Sequence, residues 1–431
     1  MNRTRAASAS FILVTLFLDT LGIGLIIPVL PRLLESMVGG NLAAASRYTG
    51  IFMAVYSAMQ FLFAPILGGL SDRYGRRAVI LTSLLGATLD YVLLAFAPTL
   101  SWLFVGRAIA GLTSASFATA TAYIADVTPP EERAAKFGMA GAAFGMGFIL
   151  GPGIGGGLGG VHLRAPFVAA AVLNLVNLIY GLFVLPESLA QEHRRPFTFR
   201  RANPLSSLAS LGRHPIVFGL TWPLVCGSLA QAILQGVWVL YTQARFGWTT
   251  LYVGLSLTAV GFAAAFVQGG LIRVVLTQLG ERRTLLFGIV MSIVGYLGFG
   301  LAKYGWMMNA TIIVFALGGL AGPAVQGLIT REVGPSEQGE IQGSLASLSS
   351  VTSFIGPLIG GELLARFSTE TAIYRLPGAP FFASALLNSV ALLLAVRLFA
   401  RMPETASAFA SASAPAEAVS KAAAGGEPAG P

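Results

Sequence analysis

The sequence predicts an all-α integral membrane protein of twelve transmembrane helices, built as two six-helix halves that repeat each other in parallel. Three observations predict it. Of the 431 residues, 55% are hydrophobic and only 10% charged. An average soluble domain is roughly 25% charged, and it needs that charge to cover its surface. The apolar residues fall in successive runs of about 20 or more, the length that crosses a bilayer core as a helix. Three sequence patterns also recur in one order a little over two hundred residues apart.

Taken in order, the first six spans lie near 9–31, 48–70, 78–97, 100–124, 136–158 and 166–185. The second six lie near 216–241, 251–272, 284–302, 306–330, 340–364 and 379–399. The first follows Arg3 and Arg5, as a signal peptide would follow basic residues. It runs on past Asp19 to Pro28 and Pro31 with no small-residue cleavage site after the apolar stretch, so it reads as a retained span. Residues 1–185 then form an N-terminal half and 215–401 a C-terminal half, joined by a basic cytoplasmic linker over 186–214. The Ala-, Ser- and Pro-rich tail over 402–431 reads as disordered and cytoplasmic.

The repeats are specific. "APFVAAAVLN" from Ala165 matches "APFFASALLN" from Ala379, and "GPGIGG" from Gly151 matches "GPLIGG" from Gly356. "GGLSDRYGRR" from Gly68 has a looser partner in "GGLIRVVLTQLGERR" from Gly269, where the Asp is missing. Parallel six-helix halves with a long linker are the layout of a transporter that rocks about a site between its halves.

The basic residues orient the chain. With both termini on the cytoplasmic side, that side carries 19 Lys and Arg against 7 on the other, and Arg107 lies inside a span. The net charge of +9 is spread over these loops, so it does not point to nucleic acid. The single cysteine, Cys226, excludes a disulfide framework and a Cys-based metal site. No G-x-x-x-x-G-K-S/T loop is present, which argues against an ATP-driven pump. No Ser/His/Asp arrangement or metal-ligand spacing points to an enzyme, a metal or a cofactor.

Two kinds of charge stand out. Gly68, Asp72, Arg73, Gly75, Arg76 and Arg77 sit between the second and third spans, where their charges reach water and headgroups at little cost. Asp72 can accept from backbone amides or an arginine there and latch one conformation, and Asp126, at the end of the fourth span, is a candidate partner for the arginines. Asp19, Asp90 and Arg107 are different, because they lie deep in apolar runs. Each such group costs about 2.5–3.5 kcal/mol on insertion scales, so an intramembrane charge is a functional candidate by default. The competing reading is a structural Asp–Arg pair bracing two helices, and for Asp90 a local pairing.

These motifs resemble a known family. "GGLSDRYGRR" fits the G-x-x-x-D-R-x-G-R-R loop of the major facilitator superfamily, and "GRAIAGLTS" from Gly106 resembles its fourth-helix arginine motif. "GMGFILGPGIGG" from Gly145 is similar to the fifth-helix motif of its antiporters. "LDTLGIGLIIPVLP" from Leu18, "LLGATLDYVLLAFAP" from Leu84, "YIADVTPPEERAAKFG" from Tyr123 and "GERRTLLFG" from Gly280 look more narrowly like the tetracycline–proton antiporters.

The resemblance implies the major facilitator fold, a multi-pass protein of a bacterial-type inner membrane, and a monomer. It implies proton coupling at Asp19, with Arg107 tuning it and Asp90 assisting. It implies a conformational gate at the Gly68–Arg77 loop with Asp126. It also implies a seal on the fifth helix at Gly147, Gly151, Pro152, Gly155 and Gly156, where close packing alone is the competing account. Gln60, Gln231, Gln235, Gln326, Asn174 and Ser292 are candidates to face a drug, although such residues also bridge helices.

The departures are informative. The tetracycline pumps carry a carboxylate in the ninth helix where this chain has Ser292, and a histidine in the eighth where it has Ala264. The expected function is therefore proton-coupled export of small amphipathic drugs, tetracycline-like compounds first, as the free drug or a magnesium chelate. The partners are the drug, protons and the bilayer. A proton-coupled importer or uniporter, or a non-transporting receptor on the same scaffold, remain alternatives. The fifth-helix motif separates export from the first two, and Asp19 with Arg107 from the last.

Overall fold

The computed structural model describes residues 3–114, 116–194, 197, 211–334, 337–368 and 374–401. The tail over 402–431 and most of the basic linker lie outside the described residues. Helices α1 to α8 are Arg3–Ile26, Leu30–Met37, Leu42–Tyr74, Arg76–Phe96, Leu100–Thr113, Ser116–Val127, Pro130–Val161 and Ala165–Val184. Helices α9 to α15 are Pro215–Phe246, Thr250–Phe266, Ile272–Leu301, Gly305–Gly318, Ala321–Glu332, Gln338–Phe367 and Ala379–Arg401. No strand occurs among the described residues.

Local chemistry accounts for the ends. Asn41 caps α3 by accepting from the Ala44 amide at 3.0 Å, and Thr249 caps α10 by accepting from Tyr252 at 3.2 Å. Pro130 starts α7, with Glu131 and Glu132 in its positive first turn. Gly247, at φ 66°, ends α9 in the left-handed region. Many large apolar side chains face outward, among them Phe183, Phe266, Trp306 and Leu386. That surface would aggregate in water and suits lipid.

Several expected spans differ in detail. The first is broken at Ile27–Val29 and resumes at an angle of 40° as α2, because Pro28 and Pro31 interrupt the helical ladder. The fourth and tenth, expected to be continuous, are each broken mid-membrane, after Thr113 and after Gly318. The eighth and ninth run together as one apolar stretch of 52 residues, Thr250–Leu301. At 1.5 Å per residue that is about 78 Å, more than twice a bilayer core. Gly280, at φ 72° and ψ 169°, turns the chain and makes it two spans, which gives twelve spans among the described residues.

The repeated motif builds both seams between the halves. On α7, Gly156 packs against Thr250 and Gly254 of α10, and Pro152 meets Gly254. On α14, Gly361 packs against Ser46 and Gly50 of α3, and Pro357 meets Gly50. The same two stretches also pack within their own halves, Gly151 on Gly24 of α1 and Gly356 on Ala232 of α9. Glycine is needed because backbone meets backbone, leaving no room for a Cβ. Thr258 donates to the Ile149 carbonyl across one seam at 2.8 Å. Across the other, Arg47 pairs with Glu362 at 2.8 Å.

All of these contacts lie toward one end of the bundle. Toward the other end of the same four spans, a Cβ on Gly68, Gly141, Gly145, Gly269 or Gly343 would meet nothing within 4 Å. The halves are therefore closed at the end away from the chain's start and parted at the other.

One substitution tests the packing of α7 on α1 within the first half. Gly155→Leu, whose Cβ would enter the Leu25 backbone, is expected to cost about 1–3 kcal/mol by overpacking. Gly157→Leu, two residues on with its nearest neighbour at 4.0 Å, is expected to be neutral. Thermal unfolding of the purified proteins in detergent compares them.

Candidate functional site

In the N-terminal half, α4 and α5 bring two charges together in the membrane. Asp90 is fully buried and forms an ion pair with Arg107 Nη2, while Arg107 Nε donates to Asp90 Oδ1 at 3.2 Å. Gly106 allows the approach, since a Cβ there would stand 2.8 Å from Asp90 Oδ1. The Arg107 guanidinium also lies 5.3 Å from the ring centres of both Phe52 and Tyr56 on α3. Tyr56 shares a 2.9 Å hydrogen bond with Ser114, at the break in the fourth span, and Gln60 donates to the same hydroxyl at 2.9 Å. The family resemblance implied Arg107 as the tuning partner of Asp19, with a structural Asp–Arg pair as the competing reading. In the structure the arginine makes a two-point pair with Asp90, because α4 and α5 are adjacent. Asp19 on α1 is half-buried and within Coulombic reach of Tyr56 and Tyr91.

The C-terminal half holds a cavity of about 520 Å³ instead. Its polar groups include Gln231, Gln235, Gln268, Ser292, Tyr296 and Asn388, with Ser228, Ser349, Thr352 and Ser353 beside them. Ser292 and Ala264, the two departures from the pumps it resembles, both line it. Gln326 does not, although its neighbour Val325 does. Gln60 belongs to the other half's cluster, so the expected drug-facing residues are not all in one place. Asn174 is fully buried, donates to the Ala170 carbonyl and stands against Gly22, so it braces helices.

The two halves differ in charge at matched positions. Counting 205 residues on, the interval between the two GPxIGG copies, Asp90 becomes Gly295 and Arg107 becomes Ile312. The buried ion pair is thus specific to the first half, while Ile312 lines the neutral cavity of the second.

The loop after α3 forms a compact network within its own half. Arg76 pairs with Asp72 at 2.6 Å and with Asp126 at 3.3 Å. Glu187, just beyond α8, accepts from the Arg76 and Arg77 amides at 2.8 and 3.3 Å and so caps α4. Gly75, at φ 107°, lies where a Cβ would collide with that carboxylate. Arg77 donates to the Leu182 carbonyl at 2.7 Å, and Arg73 stacks on Tyr74 with no part in the network. The second half carries the same bridge with its charges exchanged. Glu281 and Arg331, again 205 residues on from Arg76 and Asp126, pair at 3.0 Å.

Sequence reasoning missed Glu187, Tyr56, Ser114 and Gln268. Glu187 gave no signal because it lies 110 residues or more from the amides it caps. Gln268 precedes a Gly-Gly pair and sits on a single π turn, Val267–Leu271, an irregularity that often marks functional sites. The seam on α14 was visible as a repeat but was not read as functional.

Comparison with known proteins agrees with this architecture. A profile of the Major Facilitator Superfamily matches residues 12–302 and 274–427. The chain is 44% identical over 348 residues to the class C tetracycline resistance protein of Escherichia coli, covering 81% of this chain and 87% of that protein. It is 41% identical over 362 residues to the class E protein of Escherichia coli, covering 83% and 87%. Among solved structures, the nucleoside transporter NupG superposes with a TM-score of 0.73 at 12% identity, covering 93% of this chain and 99% of that one. The chain belongs to the major facilitator superfamily.

Proposed function

We propose that this protein is a proton-coupled antiporter that exports tetracycline-like drugs by alternating access. The observation that carries the reading is the separation of duties inside one bundle. Charge is held in the first half, a hydrogen-bonding cavity lies in the second, and the two meet across glycine seams closed at one end only. The identity to tetracycline resistance proteins over most of the chain supports the same substrate class. With both termini in the cytoplasm, as the Lys and Arg bias favours, the parted end faces inward, and the cavity takes drug from that side.

The coupling follows from where the carboxylates sit. Asp90 is held by Arg107, so it keeps its charge through the cycle. Asp19 is half-buried and is the carboxylate placed to gain and lose a proton. Ionised, it holds back the empty carrier while the drug-loaded carrier turns outward; a proton from outside then neutralises it, and the unloaded carrier returns and releases that proton inside. Each proton moved down the membrane potential supplies about 2.3 kcal/mol per 100 mV. The linker over 186–214 tethers the halves as they rock, and Glu187 at its start ties it to the Arg76 and Arg77 amides.

Three outcomes are expected. In inverted vesicles energised by respiration, with a pH-sensitive dye inside, added tetracycline discharges the proton gradient in wild type and not in Asp19→Asn. A response equal to wild type in that variant rejects Asp19 as the coupling group. Asp90→Asn leaves Arg107 as a buried charge without its carboxylate, a loss of about 3–5 kcal/mol, read as lower yield and a lower melting temperature. Glu362→Gln removes an ion pair whose side chains are 52% and 36% exposed, worth about 0–1 kcal/mol. It shifts the balance toward opening of that end by no more than about fivefold, read by labelling of a cysteine at position 46.

A further inference from the structure

We infer that the cavity of the second half takes its drug without a metal ion, as a neutral or zwitterionic molecule held by the amides of Gln231, Gln235 and Gln268, and that Ser292 and Ala264 set this preference. The inference rests on the export reading above and narrows its substrate class.

The lining argues for it directly. Apart from the Tyr296 phenol, no side chain around the cavity is ionisable, and no carboxylate or imidazole among the described residues reaches it. A drug–magnesium complex brings a dication that demands near-octahedral oxygen ligands and gives up water reluctantly. Inside a bilayer an uncompensated charge is costly, and hydroxyls and amides do not neutralise it. The two departures from the tetracycline pumps fall on this same wall. Ser292 lies against Gly318, where the tenth span breaks, and Ala264 lies four residues before Gln268 on the same span.

What remains is a set of uncharged donors and acceptors. Tyr296 donates to Gln231 Oε1 at 3.4 Å, which turns that amide's NH₂ toward other acceptors. The side chains of Gln235 and Gln268 have no hydrogen-bond partner among the described residues and face the cavity. The π turn at Val267–Leu271 carries Gln268 to the break in the tenth span, where a Cβ on Gly319 would lie 3.8 Å from its Nε2. Phe315 and Tyr296 supply aromatic faces between these amides. The fit is a flat, polar-edged, uncharged ring system.

The test uses the purified full chain in nanodiscs with radiolabelled tetracycline, in excess EDTA and in excess magnesium. Binding at least as tight in EDTA as in excess magnesium is expected. Gln235→Ala and Gln268→Ala should each weaken binding about tenfold in both buffers, the cost of one lost hydrogen bond. Ser292→Asp should create a preference for the magnesium form. Binding that disappears in EDTA overturns the inference, as do glutamine variants that bind like wild type. Vesicle transport keeps the two readings apart. Dye recovery that strictly needs magnesium leaves export standing and removes only this inference. No binding and no recovery with either form removes the export reading and this one with it.

Discussion

A charge in hydrocarbon must be compensated, and the way this chain meets that constraint organises the rest. Asp90 and Arg107 satisfy each other in a two-point pair, and the arginine's face is covered by Phe52 and Tyr56. Removing either member would leave a buried ion alone. In the proposed mechanism Asp19, not Asp90, is then the carboxylate whose charge changes. The second half answers the same constraint by having no charge at the matched positions, which leaves room for a cavity.

Movement needs interfaces that close tightly and open again, and the seams suit that. Their glycines bring backbones into contact along short stretches of α7 against α10 and α14 against α3. That gives dense packing with little side-chain entropy to lose. The Arg47–Glu362 pair adds direction but little energy, being half-exposed. A strong buried latch would hold the end shut. The Arg76–Asp126 and Glu281–Arg331 bridges lie within single halves, so each half can move as a unit.

Much of this was legible in the sequence because it depends on composition and spacing. Twelve apolar runs, the GPxIGG copies and the intramembrane Asp19, Asp90 and Arg107 are local patterns. The Arg76–Asp126 bridge was also anticipated, since both residues fall at helix ends on one side. What the sequence did not carry was pairing between distant segments. The pairing of Arg107 with Asp90 could not be read because helix neighbours do not follow from spacing, and Glu187 was invisible for the same reason. The break after Thr113 was missed because no proline marks it and the polar groups that satisfy Ser114 come from α3; the break after Gly318 was missed although Pro323, four residues beyond Gly319, removes a ladder hydrogen bond there. Gln326 was misplaced by one position, which on a helix turns a side chain by about 100°.

The central claim is that protonation of Asp19 governs which end of one bundle is open. The most direct measurement is the distance between spin labels at positions 141 and 343, across the parted end where added side chains meet nothing, in a chain with Cys226→Ser. The account predicts a short and a long distance whose proportions move with pH in wild type and are independent of pH in Asp19→Asn. A single distance at every pH, or an Asp19→Asn variant that keeps the wild-type pH response, would contradict it.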